Sequence, residues 1–303
     1  MTPPPESTLW QLGRGRVLTL DRPRVMAIVN VTPDSFFANS RADSASAALA
    51  MAEQAVREGA DMLDIGGEST RPGAARVDEA EQIERVVPVV EAVRAPRDPG
   101  VASIPISIDT TLPAVAHAAI EAGADAINDV SGATECGGSM LGVAAATGAG
   151  LILMHRLVPP GEDSYSDRYA DEPEYADIVA EVRGVLSARA AAAEAAGVAR
   201  AAIVLDPGLG FGKSVEQNLE IVRRTGELLG GGYPLLSAAS RKSFVGRVSL
   251  PGAEQSSPAE RLPGSLAFSV LHLAAGARVF RVHDAGPQRA ALDAAWAILA
   301  PPR

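Results

Sequence analysis

Cysteine is nearly absent from this 303-residue sequence, which contains a single one, Cys136. One thiol cannot form an internal disulfide, and neither a CxxC pair nor a nearby histidine accompanies it. The sequence therefore argues against a disulfide framework and against a cysteine-based metal site. We predict that Cys136 is a small buried side chain.

Positive charge and long apolar runs are also scarce. The chain has 27 Lys and Arg against 37 Asp and Glu, a formal net charge of −10. This balance argues against a nucleic acid or an anionic membrane as the main partner. No run approaches the roughly eighteen apolar residues of a membrane span, and the N-terminal MTPPPESTLW lacks the features of a secretory signal. We therefore expect a cytoplasmic protein that binds small molecules.

A complete nucleotide-binding motif is missing as well, although PGLGFGKS (207–214) ends like a P-loop. That motif needs a glycine, four free positions and then Gly-Lys-Ser or Gly-Lys-Thr. Pro207 occupies the glycine position, and proline has no N–H to offer a phosphate. A dinucleotide-binding fingerprint is also absent. We expect Lys213 at the surface or behind the residues that contact a ligand.

The sequence does contain a regular alternation of short apolar runs and Ala-rich helical segments. The apolar runs are continuous, which is typical of parallel strands buried on both faces. They are 25–31, 62–65, 104–108, 126–130, 151–154, 201–205, 234–238 and 278–282. The helical segments are 44–58, 78–93, 112–121, 175–196, 215–229, 258–275 and 288–299. This order predicts the α/β class: a single-domain (β/α)₈ TIM barrel over residues 22–303, after a short N-terminal extension, 1–21.

Polar side chains lie at or just after the carboxyl ends of all eight predicted strands, where barrels of this kind carry their active sites. They are Asn30, Thr32 and Asp34; Asp64 and Glu68; Asp109; Asn128 and Asp129; His155; Asp206; Ser240, Arg241 and Lys242; Arg281, His283 and Asp284. Capping of the following helix explains some of them, but eight together predict a site.

Two groups within this set indicate the ligand. Asp109, Asn128 and Asp206 suit a planar heterocycle with a ring N–H and an exocyclic amine. The cations predict an anion such as phosphate, pyrophosphate or carboxylate; they are Arg71, Arg241, Lys242, Arg281 and His283. Loops 32–44 and 66–78 are rich in Gly, Pro and Ser, and we expect them to close over the site.

Eight motifs at these strand ends resemble, in order, the dihydropteroate synthases of the folate pathway. They are NVTPDSF (30–36), DIGGESTRPGA (64–74), SIDT (107–110), INDVSG (127–132), MH (154–155), DPGLGFGKS (206–214), SRKSF (240–244) and RVHD (281–284). The resemblance covers at least residues 25–284. It implies a barrel enzyme, usually a homodimer. The implied reaction joins p-aminobenzoate to 6-hydroxymethyl-7,8-dihydropterin pyrophosphate with Mg²⁺, giving 7,8-dihydropteroate and pyrophosphate.

The resemblance also implies a role for each matching residue. The pterin would be bound by Asp109, Asn128, Asp206 and Lys242. The pyrophosphate would be bound by Asn30, Arg281 and His283, with Asn30 also a ligand of Mg²⁺. The p-aminobenzoate would be bound by Thr70, Arg71, Pro72, Phe211 and Ser243. The residues expected to act in catalysis are Asn30, Lys242, Arg281 and His283.

The chain departs from the resembling proteins in three places. Ala38 stands where they carry a loop acid, with Asn39 and Asp43 as candidate substitutes. Ser237-Ala238 replaces Val-Gly, which adds a methyl near the expected pterin floor. The acidic stretch 159–175 replaces a segment rich in Gly, Thr, Met and Gln, and we expect it to be a solvated loop.

Two other functions remain open at this point. One is a pterin-binding methyltransferase that passes a methyl group to a corrinoid protein. The other is a pterin-binding paralogue without catalysis, which the loss of the acid at Ala38 would allow. His155 is interpreted either as a structural histidine bonded to backbone or as a substrate contact.

Overall fold

The structure is a computed structural model that describes residues 9–31, 41–95, 98–250, 252 and 256–300, with only the backbone given at 41–44. Several predictions fall outside the described residues: those on Thr32, Asp34, Ala38 and Asn39, on the side chain of Asp43, and on the closure of loop 32–44.

Eight parallel strands form a closed barrel, as predicted. Neighbours pair in chain order, and a bridge between Leu205 and Leu235 closes the ring between its two edge strands. The barrel strands are β3 (Arg24–Asn30), β4 (Met62–Gly66), β5 (Ile106–Asp109), β6 (Ala126–Asp129), β7 (Gly150–Met154), β8 (Ile203–Asp206), β9 (Leu236–Ser237) and β10 (Val279–Val282). Each lies in a predicted apolar run or extends it by one residue. The predicted (β/α)₈ fold is confirmed.

The helices surround this barrel. They are α1 (Arg41–Arg57), α2 (Glu79–Arg94), α3 (Pro99–Ser103), α4 (Pro113–Ala122), α5 (Ser139–Thr147), α6 (Ile178–Ala195), α7 (Val215–Arg223), α8 (Thr225–Leu228), α9 (Ser243–Ser249), α10 (Leu262–Ala275) and α11 (Ala285–Leu299). The prediction missed the short α3, α5 and α9, and it joined α7 to α8. None of the helices in the described ranges is long and apolar enough to cross a lipid bilayer.

Local sequence signals explain where several helices begin and end. Asp177 caps α6 by accepting hydrogen bonds from the N–H groups of Val179 and Ala180 at 3.0 and 3.1 Å. Ser214 and Gln217 form a reciprocal capping box at the start of α7. The last residue of PGLGFGKS, Ser214, therefore acts as a helix cap.

A hairpin closes the N-terminal end of the barrel. It consists of β1 (Leu9–Gln11) and β2 (Val17–Thr19), which pair antiparallel. The fully buried Trp10 packs with the inward residues of the barrel strands, and its indole N–H donates to the Ala202 carbonyl at 2.9 Å. The segment predicted as an extension thus contributes to the barrel core, and the opposite end of the barrel stays open.

Candidate functional site

A cleft of about 580 Å³ opens at the carboxyl ends of the barrel strands. This volume is typical of a site for small molecules. The predicted site residues that line it are Asn30, Thr70, Arg71, Pro72, Asn128, Asp206, Phe211, Lys242, Ser243, Arg281 and His283. The remaining one, Asp109, contacts the cleft through Arg281. Strand ends far apart in the chain are therefore brought to one place.

A buried charge network lies beside the cleft. Arg281 donates from Nε to Asp64 Oδ2 and from Nη2 to Asp109 Oδ2, both at 2.6 Å. Asn128 Nδ2 donates to the same oxygen of Asp64 at 3.1 Å. Burial raises the pKa of Asp109 to about 7, although Arg281 opposes the rise. Near neutral pH this carboxyl can therefore accept or donate a hydrogen bond.

Asp206 ends β8 inside the cleft, and the glycine turn that follows sets its orientation. The N–H of Gly208 donates to Asp206 Oδ1 at 2.7 Å. Gly208 has a φ of 68°, and a methyl group there would overlap the carbonyl oxygen of His155. Only glycine fits this position without strain. Burial raises the pKa of Asp206, and the positive charge of Lys242 opposes that rise.

Lys213 is fully buried behind the same turn. Its ammonium donates to the carbonyls of Gly208 and Phe211 at 2.9 and 2.7 Å, and it lies 3.0 Å from His155 Nδ1. Burial lowers the pKa of His155 to about 3, so the imidazole is neutral and its Nδ1 can accept. A surface position for Lys213 was wrong; it lies behind the cleft and holds the turn.

Lys242 lies on the other side of this turn. Its ammonium is 4.4 Å from the centre of the Phe211 ring and donates to the Leu209 carbonyl. Burial lowers its pKa to about 8, opposed by the charge of Asp206. The two lysines together fix the turn that presents Asp206 and Phe211 to the cleft.

The other predicted cations differ in their partners and in their charge. Arg241 is paired with Asp284, with Nε to Oδ2 at 2.8 Å. His283 Nδ1 lies 3.1 Å from Ser240 Oγ. Burial lowers the pKa of His283 to about 3, and the charges of Arg281 and Arg241 lower it further. His283 was counted among the cations, but it is neutral here and acts as a hydrogen-bonding group.

The acidic stretch 159–175 is an irregular segment with many exposed residues, as expected, but its inner side packs on the site. The buried Asp163 accepts through Oδ2 from the N–H of Gly212 at 2.9 Å. The hydroxyl of Tyr175 donates to the Gly212 carbonyl at 2.8 Å. Tyr165 and Arg168 of the same stretch line the cleft. The stretch packs on the glycine turn and forms a wall of the site.

Comparison with known proteins shows the family of the chain. A family profile described as pterin binding enzyme matches residues 26–283. The chain belongs to this family. Dihydropteroate synthase from Synechocystis sp. is 43% identical over 264 residues, which cover 87% of this chain and 86% of the relative. The resemblance of the sequence motifs is thereby confirmed.

Solved structures extend this likeness to the fold. Xanthomonas albilineans dihydropteroate synthase with 4-aminobenzoic acid superposes with a TM-score of 0.83 at 40% identity, covering 97% of this chain and all of that one. The same enzyme in complex with 7,8-dihydropteroate gives a TM-score of 0.80 at 36% identity, covering 96% of this chain and 99% of that one.

The residues available to hold a metal in this family member are few. Within the described ranges, no group of three or more His, Cys, Asp or Glu side chains could enclose an ion. Asn30, at the end of β3, lines the cleft together with Arg281 and His283. Mg²⁺ is commonly held by one or two protein oxygens, with phosphate oxygens and water completing its shell. This donor set fits a cation that arrives with a pyrophosphate.

Asp64, Tyr165, Arg168 and Arg261 are among the residues at the site that the sequence did not predict. Asp64 was noted at a strand end but received no role, although a carboxylate inside the buried strand MLDIG was a usable signal. Tyr165 and Arg168 had no such signal, because the acidic composition around them indicated solvent. Cys136 was expected to be buried and is exposed, so that prediction was wrong.

Proposed function

We propose that this protein is a dihydropteroate synthase. It condenses 6-hydroxymethyl-7,8-dihydropterin pyrophosphate with p-aminobenzoate and releases 7,8-dihydropteroate and pyrophosphate. The observation that carries the proposal is one cleft in which the buried Asp206 and Asn128 lie with Arg281 and His283. Relatives that match nearly the whole chain have the same name.

The pterin ring binds in the polar pocket. The carboxylates of Asp109 and Asp206 accept from the ring N–H and amine groups, and Asn128 contributes its amide. Lys242 completes the pocket beside Asp206. In the free protein Arg281 occupies one oxygen of Asp109. A pterin that takes this oxygen releases one edge of the guanidinium, which can then donate to the pyrophosphate.

The reaction breaks the bond between the pterin methylene and a pyrophosphate oxygen. Arg281 and the neutral imidazole of His283 donate hydrogen bonds to the departing pyrophosphate, whose charge is rising. Asn30 would contribute an amide oxygen to Mg²⁺. The ion, when bound, neutralises charge on the leaving group. The pterin ring delocalises the positive charge left on the methylene, and the nearby acids favour it.

The arylamine then forms the new C–N bond and loses one proton from nitrogen. Its neutral amine is already nucleophilic, so positioning matters more than a strong base, and we expect no covalent enzyme intermediate. In this proposal Phe211 packs against the ring, and Ser243 and Arg71, which also line the cleft, bind its carboxylate. Thr70 and Pro72 complete this end of the cleft from loop 66–78.

The two alternatives are less well supported. A corrinoid methyltransferase would use the acid and amide pocket, but its reaction has no pyrophosphate for Arg281 and His283 to bind. A passive pterin binder has no use for these two residues either. The residue that raised the second alternative, Ala38, lies outside the described part of the chain. Assembly as a homodimer and a cytoplasmic location stay predictions.

A turnover assay tests the proposal directly. Both substrates and Mg²⁺ are supplied to the purified protein, and pyrophosphate release is followed. Tight binding of the pterin pyrophosphate without release would contradict the synthase and favour the passive binder. We also expect His283→Ala to slow turnover more than it weakens p-aminobenzoate binding; equal effects on the two would remove His283 from the leaving-group site.

A further inference from the structure

Arg168 places a guanidinium at the cleft that no acid neutralises within the described ranges. It lines the cleft, and no ion pair or side-chain hydrogen bond of its guanidinium is formed there. Its guanidinium carbon lies 5.0 Å from the centre of the Tyr165 ring, which lines the same cleft. The aromatic ring supports the cation without using its hydrogen-bond donors.

The backbone that carries Arg168 is fixed to the glycine turn. The N–H of Arg168 donates to the Tyr165 carbonyl at 2.8 Å. On one side of it the buried Ser166 accepts from Asn218 Nδ2 at 3.1 Å; on the other the hydroxyl of Tyr169 donates to Asp163. Asp163 in turn accepts from the turn that carries Phe211, so the backbone segment of the exposed Arg168 is attached to that turn.

A second guanidinium, that of Arg261, lies near Arg168, together with the acid Asp167. Arg261 lines the same cleft and donates from Nη1 to the Arg241 carbonyl at 2.9 Å. Burial lowers the pKa of Arg261. The negative charge of Asp167 raises this pKa, and the positive charge of Arg168 lowers it. In a chain of net charge −10, two neighbouring guanidiniums facing a cleft indicate an anionic ligand.

The position of Arg168 decides which anion this is. The pyrophosphate cluster comes from β3 and β10, through Asn30, Arg281 and His283. Arg168 comes instead from the stretch after β7, which is bound to the turn of Phe211, and the proposed function puts the arylamine ring against that phenylalanine. We propose that Arg168 binds the carboxylate of the arylamine substrate as a third contact beside Ser243 and Arg71. This inference rests on the proposed function for the identity of that substrate.

The test compares Arg168→Met, Arg168→Lys and the wild type. Arg183→Met is the matched control, since Arg183 is exposed on α6. The KM of p-aminobenzoate and that of the pterin pyrophosphate are measured, together with the Kd of p-aminobenzoate by calorimetry in the presence of pyrophosphate and Mg²⁺. The same titration is repeated with 4-aminobenzamide, which has the same ring but no charge.

We expect Arg168→Met to raise the KM and Kd of p-aminobenzoate roughly tenfold, as for loss of a hydrogen bond to a charged group. Arg168→Lys should recover part of this, because it keeps the charge but loses the two-pronged geometry. The pterin KM, the Kd of 4-aminobenzamide and the Arg183→Met variant should stay at wild-type values. Values for Arg168→Met unchanged from wild type, or an equal loss for the uncharged amide, would overturn the inference.

The outcome stays separable from the proposed function. A wild-type protein that turns over no substrate but binds p-aminobenzoate in an Arg168-dependent way would disprove the synthase and keep the carboxylate contact. A protein that turns over both substrates with no dependence on Arg168 would keep the synthase and disprove the carboxylate contact. A protein that neither turns over nor binds p-aminobenzoate would overturn both.

Discussion

Removal of the Arg281 guanidinium should destabilise the fold by about 3–5 kcal/mol, the usual cost of leaving buried charges without their partner. The substitution is Arg281→Met, which keeps most of the side-chain volume. It leaves Asp64 and Asp109 without their shared cation, and the side chains of these two acids are only 0% and 4% exposed.

The effect should also depend on pH, with a sign set by Asp109. Its pKa in the folded protein is about 7, against an ordinary value of 3.8, and Arg281 holds it down against burial. Without Arg281 this pKa rises further, while the unfolded carboxyl stays ionised above about pH 4. The folded variant therefore keeps a proton over a wider range. Its stability relative to the wild type should fall as the pH rises above 7.

Urea unfolding at pH 6, 7, 8 and 9 measures both effects through the extrapolated free energy of unfolding. The double variant Arg281→Met/Asp109→Asn should recover at least about 1 kcal/mol, because one of the stranded charges is gone. Arg183→Met on the surface of α6 should stay within about 0.5 kcal/mol of wild type. A cost below about 1 kcal/mol for the single variant, or no recovery in the double variant, would refute the buried network.

Three further substitutions test other parts of the structure. Gly208→Ala should lower the free energy of unfolding by more than about 3 kcal/mol, because the added methyl would overlap the His155 carbonyl and φ is left-handed there. The control Gly184→Ala lies in open space on α6 and should raise the free energy of unfolding by up to about 1 kcal/mol in the same urea assay. Lys213→Met should cost about 1–3 kcal/mol and raise the KM of p-aminobenzoate, since the turn loses two hydrogen bonds to its carbonyls and the contact with His155 is lost. An unchanged KM would mean that the lysine supports only the fold. Trp10→Ala should lower the stability by about 3–5 kcal/mol in thermal unfolding but leave kcat at 25 °C unchanged, because the hairpin closes the end of the barrel opposite the cleft.

Much of the fold was predictable because its signals are local. A parallel strand buried on both faces must be apolar along its length, and a strand of four to seven residues shows this without reference to the rest of the chain. The missed helices lack a comparable signal. In α5, the sequence SMLGVAAAT has no polar stripe that would mark a helical period, and α3 has only five residues.

By itself, the sequence determined the barrel and the strand ends that form the site. Polar residues stand at the ends of apolar runs: Asn30, Asn128, Asp206 and His283. The topology of a closed parallel barrel brings such positions to one rim whatever their separation along the chain. The motifs at those positions carried enough chemical detail to identify the family.

Only the tertiary structure decided which of these groups are paired, charged or buried. Arg281 meets Asp109 and Asp64 across 172 and 217 residues, and no local pattern records that contact. Lys213 has a polar side chain in a glycine turn, which by itself indicates the surface, yet carbonyl oxygens from two segments enclose it. Arg168 lies in acidic sequence, but its stretch packs on the turn after β8 and so reaches the cleft. Burial and long-range pairing depend on distances in space, and these exist only once the chain has folded.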